Sequence, residues 1–305
     1  MIKLQTPVEI KESSIKIGFG DGILLLGSCF SDNIGNIMKD MGFNVMVNPF
    51  GTLYNPVSVC NSIRRLDSAV PFSEDECVQM GAGSELFCSF SHHTAAARST
   101  KEEFVNDANA SLSAASEFFK KASTIIVTLG TAWTFRVNAT GEIVSNCLKR
   151  DAKEFTRECL SMKMCEVLLN SLVEKYPDKN FFFTVSPIRH MKDGAHGNQL
   201  SKSTLLLAED SVIRKHPDQC CYFPAYEIMM DELRSYRFYA EDMVHPSAQA
   251  VNYIWERFCE FALAKEDFPQ LERNRKSFLQ SRHRPITDQS SENTKHRLQN
   301  PTERG

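Results

Sequence analysis

A polar turn that follows the apolar run 23–26 holds two candidate nucleophiles, Ser28 and Cys29. Far along the chain, Asp242 precedes His245 by three residues. An aspartate at that spacing can bind Nδ1 of the imidazole, which fixes the tautomer and leaves Nε2 to take a proton from a hydroxyl or a thiol. The predicted chemistry is therefore hydrolysis or acyl transfer through a covalent intermediate.

The residues alone leave the nucleophile open. A thiol at a helix N-terminus beside a histidine has its pKa lowered, which favours Cys29. In the competing interpretation Cys29 is a small buried residue and Ser28 caps the helix. His92, His93 and His190 compete with His245 as pocket histidines, or else make structural hydrogen bonds.

The elements that must position these residues alternate between apolar strands and amphipathic helices. We predict strands at 23–26, 43–47, 125–127, 181–185 and 221–223, a hairpin within 135–144, a helix that starts near 31 and ends at Gly42, and further helices at 56–66, 102–122, 161–176 and 200–215. Buried strands alternating with helices predict an α/β fold, a three-layer α/β/α sandwich with a mostly parallel central sheet. One such domain is expected over residues 1–265.

Residues 266–305 have a different composition. They carry eight Lys or Arg and six Asp or Glu, a local net charge of 8 − 6 = +2, and few apolar residues. This pattern predicts a polar, partly disordered tail; the alternative is a segment that orders on contact with a partner.

Composition also bears on partners and location. The formal net charge of −3, without a basic stripe in the first 265 residues, predicts that nucleic acid is not a partner. There is no apolar stretch of membrane-spanning length and no signal-peptide pattern, so we expect a cytoplasmic protein. The ten cysteines include no C-x-x-C pair, so we expect reduced thiols, no metal and no cofactor.

Loops at the carboxyl ends of the predicted strands are where ligands bind in open α/β sheets. The backbone amide of Cys29, with Gly51 or Gly130, is expected to stabilise an oxyanion, because glycine lets the main chain approach a ligand closely. Arg189 is a candidate to hold a substrate carboxylate or phosphate, or else to pair with Asp193. His190, which follows a predicted strand, is a further candidate to bind the substrate.

Six motifs in order resemble the GSCFA-domain family, with Bacteroidetes-type members most similar, over residues 1 to about 262. They are Gly27-Ser28-Cys29-Phe30, Asn48-Pro49-Phe50-Gly51 with Tyr54-Asn55-Pro56, Thr128-Leu129-Gly130-Thr131-Ala132-Trp133, Asn146-Cys147, Thr184-Val185-Ser186-Pro187 with Arg189-His190, and Asp242-x-x-His245-Pro246. The family is similar to the SGNH/GDSL hydrolases, which implies a flavodoxin-like fold and an esterase or O-acyltransferase, often acting on carbohydrates or lipids. A small-molecule or carbohydrate ester is thus the expected substrate, and the oligomeric state stays open.

The resemblance bears on single residues too. A gapless match to Gly-Asp-Ser places Cys29 at the nucleophile position, whereas a one-residue shift places Ser28 there. Ala132 stands where the superfamily has an oxyanion-stabilising Asn, so Asn48 or Asn146 becomes the expected donor, and Leu148 replaces a histidine expected in many relatives. The missing Asn keeps a non-catalytic ligand-binding module as the alternative function.

Overall fold

The structure, a computed structural model, describes residues 6–282. Its strands in chain order are β1 (Ile23–Gly27), β2 (Val45–Val47), β3 (Cys77–Gln79), β4 (Phe87–Ser89), β5 (Thr124–Leu129), β6 (Trp133–Val137), β7 (Ile143–Val144), β8 (Phe155–Cys159), β9 (Asn180–Val185) and β10 (Cys220–Tyr222). Its helices are α1 (Cys29–Asp40), α2 (Pro56–Ser68), α3 (Lys101–Lys121), α4 (Met162–Lys175), α5 (Gly194–Lys215), α6 (Ala225–Glu227), α7 (Ala248–Ala262) and α8 (Phe268–Arg282).

The central sheet has five parallel strands in the order β10-β9-β5-β1-β2. Counted along the chain and read from the β2 edge, this is the order 2-1-3-4-5 of flavodoxin-like folds. The fold class expected from the sequence is confirmed. The chain passes from β1 to one side and then returns to the other at β5, so the crevice between the carboxyl ends of β1 and β5 is the expected ligand site.

Helices cover both faces of this sheet. Leu24 and Phe183 point to a core formed with α2, α3, α4 and α5, whereas Leu25 and Phe182 point to a second core formed with α1 and α7. Adjacent strand residues alternate between the two faces because the side-chain period of a strand is two. Burial of each of these side chains contributes about 1.5–3 kcal/mol to the free energy of folding.

The first helix ends as its sequence predicts. Gly42 has a φ of +87°, a conformation that favours glycine, and its amide donates to the carbonyl of Lys39. The amide of Phe43 donates to the Met38 carbonyl at 3.0 Å, so Phe43 closes the helix. The following strand consequently begins at Val45, two residues later than predicted.

A small antiparallel sheet follows β5. The predicted hairpin is present as β6 and β7, and β8 pairs with the other side of β6. The helix predicted at 200–215 starts six residues earlier, at Gly194. Its first turn and a half was not predicted because residues 194–199 lack the apolar periodicity that marks a helix in sequence.

The segment assigned to the polar tail begins with α8. Leu271 on this helix is buried, and Asn274 donates from its side-chain amide to the carbonyl of Met41 at 2.6 Å. Residues 266–282 therefore contact the end of α1, while residues 283–305 lie outside the described residues. None of the helices within 6–282 has both the length and the apolar character needed to cross a bilayer.

Candidate active site

The turn between β1 and α1 requires glycine at position 27. Gly27 has a φ of +141°, and a Cβ there would lie 2.1 Å from the carbonyl oxygen of Thr128. The amide of Ser28 donates to this same oxygen at 3.1 Å. Any side chain at position 27 would push β1 away from β5, so the tight turn depends on glycine.

Ser28 is the N-cap of α1. Its side chain is 1% exposed, its Oγ accepts from the Phe30 amide at 3.3 Å, and the same Oγ lies 3.0 Å from Ser186 Oγ. Ser28 therefore caps the helix, as one of the two interpretations of the sequence predicted. They also link the turn after β1 to the loop after β9.

Cys29 is the half-buried first residue of α1. Burial raises the pKa of its thiol, with further contributions from the negative charges of Asp32 and Asp242; the amides of Cys29 and Phe30 oppose these effects. The lowered pKa that we predicted is therefore wrong in direction. Desolvation of a thiolate outweighs two helix amides, so Cys29 is a neutral thiol at neutral pH.

The Asp242–His245 pair is formed in a compact turn. Asp242 Oδ2 lies 2.6 Å from His245 Nδ1, and Oδ1 accepts the amides of Val244 and His245 at 2.9 Å each. These hydrogen bonds lower the pKa of Asp242 to about 2, the two amides first and the imidazole after them. The carboxylate is thus charged across the working pH range and orients the ring.

The Asp242–His245 pair and the Cys29 thiol are not joined by a hydrogen bond. Among the described residues, His245 has a hydrogen bond from Nδ1 to Asp242, and none joins its Nε2 to Cys29 Sγ or Ser28 Oγ. Asp242 is nevertheless close enough for its charge to raise the pKa of Cys29. Catalytic hydrogen bonds are often long without substrate and tighten in the reacting complex.

The three loop residues nominated as oxyanion donors are all engaged with protein groups. Gly51 donates its amide to the Asn48 carbonyl at 2.7 Å, and Gly130 donates to the Tyr54 carbonyl at 2.8 Å. Asn48 accepts from the Gly27 amide at 2.8 Å and donates from Nδ2 to Asp32 at 2.7 Å. Their hydrogen bonds hold the loops of the site together.

Asn146 and Ala132 belong to the loops around the small antiparallel sheet. Asn146 accepts from the Leu148 amide at 2.8 Å through its side chain, and its own amide donates to the Phe90 carbonyl. Ala132 is fully buried, and its amide donates to Ser201 Oγ at 2.8 Å. The contacts of Asn146 are thus with its own loop and the segment after β4.

Arg189 connects two loops of the site. Its guanidinium donates to the Met243 carbonyl and lies 4.3 Å from the ring centroid of Tyr239, and its amide donates to the Val244 carbonyl at 3.3 Å. The loop after β9 is thereby fastened to the loop of the Asp–His pair. Asp193, the alternative partner of Arg189, pairs with Arg157.

His190 lies beside Gly130 and Tyr54. Its Nε2 is buried, has no hydrogen-bond partner and would be 3.3 Å from a Cβ at Gly130. Burial, then the charge of Lys202, lowers the pKa of His190 to about 4, so the imidazole is neutral. His92 instead packs among phenylalanines and is held by Ser89, with 2.7 Å from Oγ to Nδ1.

Lys202 is a site residue that the sequence reasoning missed. It is fully buried on α5, and its Nζ donates to the carbonyls of Gly130 and Ser186 at 2.7 Å each. Burial lowers its pKa to about 7. The available signal was a lysine three residues before Leu205, on the apolar face of a helix.

A separate cavity of about 750 Å³ lies between α2 and the β6–β7 hairpin. None of the candidate catalytic residues lines it. Its charged side chains are largely paired, as in Arg65 with Glu76 and Arg136 with Glu158. No three His, Cys, Asp or Glu side chains within residues 6–282 are arranged to hold a metal ion.

These features define a flavodoxin-like α/β/α protein with a thiol at the switch point and an Asp–His pair on a later loop. The GSCFA family model matches residues 22–258, and the chain belongs to the GSCFA family. Among curated proteins, none matches the sequence significantly.

Several solved structures are similar to this chain. One, from Streptococcus pneumonia and provisionally described as a platelet activating factor, has a TM-score of 0.38 and 10% identity, covering 78% of this chain and 83% of its own. A carbohydrate esterase family 2 enzyme from Corynascus thermopiles has a TM-score of 0.39 and 12% identity, covering 84% and 67%. An acetyl xylan esterase from Butyrivibrio proteoclasticus has a TM-score of 0.33 and 9% identity, covering 83% and 67%.

Proposed function

We propose that this protein is an acyl-ester hydrolase or O-acyltransferase that forms a thioester intermediate on Cys29. The observation that carries the proposal is the Asp242–His245 pair, in which the carboxylate holds Nδ1 at 2.6 Å and Nε2 is left for proton transfer. Arg189 and Ser186 provide further support, since they fasten the loop of the pair to the turn that holds Cys29.

The reaction has two steps. Cys29 Sγ attacks the ester carbonyl while its proton passes to His245 Nε2; a C–S bond forms, the ester C–O bond breaks, and the histidine protonates the leaving alcohol. Water or an acceptor hydroxyl then attacks the thioester carbonyl and gives its proton to His245; a C–O bond forms, the C–S bond breaks, and the histidine returns the proton to Cys29 Sγ. Because the thiol is neutral at rest, the histidine takes the proton during the attack.

Two observations favour Cys29 over Ser28 as the nucleophile. The Ser28 hydroxyl is buried and engaged with Phe30 and Ser186, whereas the Cys29 thiol is half exposed at the switch point.

The expected substrate is a small-molecule or carbohydrate ester. The Asp242 and His245 side chains are 50% and 45% exposed, which suits a substrate that approaches from solvent.

The test is to trap the acyl group. The native protein is mixed with p-nitrophenyl acetate, quenched in acid and digested, and the peptide that contains Ser28 and Cys29 is sequenced by mass spectrometry. Acetylation of Cys29 that neutral hydroxylamine removes is expected, since hydroxylamine cleaves thioesters. His245→Ala and Asp242→Asn should lose it. Acetyl on Ser28, or acetylation of Cys29 that survives His245→Ala, contradicts the assignment.

A non-catalytic ligand-binding module is the second candidate. It is favoured by the lack of a hydrogen bond between Cys29 and His245 and by the engaged amides of Gly51 and Gly130. This candidate predicts no turnover with a broad panel of acyl esters. Turnover that Asp242→Asn abolishes excludes it.

A further inference from the structure

Tyr54 lies beside the turn that holds Ser28 and Cys29. The amide of Leu53 donates to the Gly27 carbonyl at 2.8 Å, and the Tyr54 carbonyl accepts the amides of Gly130 and Thr131 at 2.8 and 2.9 Å. The Tyr54 backbone is therefore held between the turn after β1 and the loop after β5. Those are the two sides of the switch-point crevice.

The side chain of Tyr54 is placed by three neighbours. Its ring would lie 3.3 Å from a Cβ at Gly130 and meets the His190 ring edge-on, with centroids 6.0 Å apart. Its hydroxyl is 3.1 Å from Thr52 Oγ1. Burial raises the pKa of the half-buried phenol, the hydrogen bond with Thr52 opposes this effect, and the net shift is upward, so the phenol stays protonated at neutral pH.

Beside the backbone amide of Cys29, the site needs a second oxyanion donor, and three of the nominated groups are engaged with protein acceptors. The amides of Gly51 and Gly130 are engaged, Asn48 donates to Asp32, and Ala132 has no side-chain donor. A tetrahedral intermediate needs preorganised donors where its charge develops, and tyrosine hydroxyls serve this purpose in other enzymes. The Tyr54 hydroxyl carries a proton and its hydrogen-bond partner, Thr52, can act as the donor to it.

We propose that the Tyr54 hydroxyl is the side-chain oxyanion donor of this site, with Thr52 directing the phenol proton toward the substrate. The proposal rests on the proposed function. As Cys29 Sγ bonds to the ester carbonyl carbon, the carbonyl π pair moves onto oxygen, and the phenol O–H donates a hydrogen bond to that oxygen without transferring its proton. The thiol proton goes to His245 and then to the leaving alcohol.

The test compares two reactions of the same thiol. Acylation of Cys29 by p-nitrophenyl acetate passes through an oxyanion, whereas alkylation by iodoacetamide is a direct displacement that forms none. Tyr54→Phe keeps the ring and the backbone contacts and removes the hydroxyl. We expect its acylation rate to fall about 100-fold, while the alkylation rate of Cys29, followed by peptide mass spectrometry, changes less than about twofold.

Thr52 supplies a matched pair of variants. Thr52→Val should lower the acylation rate, and Thr52→Ser, which keeps the hydroxyl, should retain it. Unchanged acylation in Tyr54→Phe, or an equal loss of acylation and alkylation, overturns the assignment of Tyr54 alone. If the native protein is not acylated at all, the proposed function fails and this assignment fails with it.

Discussion

At Cys29, two opposing electrostatic effects act on one thiol. The amides at the start of α1 favour the thiolate, whereas burial and the carboxylates of Asp32 and Asp242 disfavour it, and the net effect raises the pKa. The site therefore differs from thiol enzymes that rest as a thiolate–imidazolium pair. In the proposed mechanism, proton transfer from Cys29 to His245 therefore belongs to the chemical step.

This arrangement predicts how Cys29 reacts with iodoacetamide. The alkylation rate should stay low at pH 7 and should increase only at pH values above those at which an ordinary thiol ionises, since only the thiolate reacts. Asp32→Asn removes one negative charge and should move the midpoint of the profile to lower pH. Rates at single cysteines are measured by peptide mass spectrometry. A native midpoint at or below about pH 8.5, the ordinary value for cysteine, would contradict the raised pKa.

At the scale of elements, α5 connects the loops that follow two central strands. Lys202 donates to the carbonyls of Gly130 and Ser186, and Ser186 in turn contacts Ser28, so one helix holds the ends of β5 and β9 and the start of α1. The same helix buries Glu209, whose carboxyl has a raised pKa because of burial. The loops of the site are thus held from inside the protein.

Lys202→Met is expected to destabilise the fold and loosen these loops. It leaves two buried carbonyls without donors, which costs on the order of 2 kcal/mol of unfolding free energy. Urea denaturation measures this loss, and hydrogen exchange should increase mainly in the loops at 130–132 and 186–188. Leu207→Met, at a position 57% exposed on the same helix, is the control and should change stability by less than about 0.5 kcal/mol. Equal effects of both variants would refute this function of Lys202.

For the whole molecule, two neutral histidines make stability depend on pH. Burial lowers the pKa of His92 and of His190 to about 4 each, whereas an unfolded histidine titrates near 6.5. As the pH falls below 6.5 the unfolded chain takes up protons that the folded chain does not. The free energy of unfolding therefore decreases as the pH is lowered from about 6.5 to about 4.

We expect His92 to contribute up to about 3 kcal/mol to this acid sensitivity, from about 1.4 kcal/mol per pKa unit. His92→Gln keeps a polar side chain for Ser89 and cannot titrate, so its unfolding free energy should fall less between pH 7 and pH 4.5 than that of the native protein. Urea denaturation at the two pH values gives the comparison. Equal decreases in the two proteins would show that His92 does not carry this effect.

Much of the fold could be predicted because its signals are local. Helical periodicity, glycine at position 42 and the apolar runs of β5 and β9 depend on neighbouring residues, and the flavodoxin-like fold followed from the family resemblance. Other segments were not predicted: β3 and β8 were missed, and the start of α5 has no apolar pattern. Such segments are stabilised by tertiary contacts rather than by their own sequence.

The turn of Ser28 and Cys29 and the Asp242–His245 pair could be recognised from sequence, because their defining contacts span three residues or fewer. Only the tertiary structure decided which groups are free to act. The acceptors that engage Gly130 and the donor that binds the Ser186 carbonyl come from distant segments, and the pKa of Cys29 depends on burial by the whole fold. Burial and long-range hydrogen bonds are properties of the packed chain, so no local spacing encodes them.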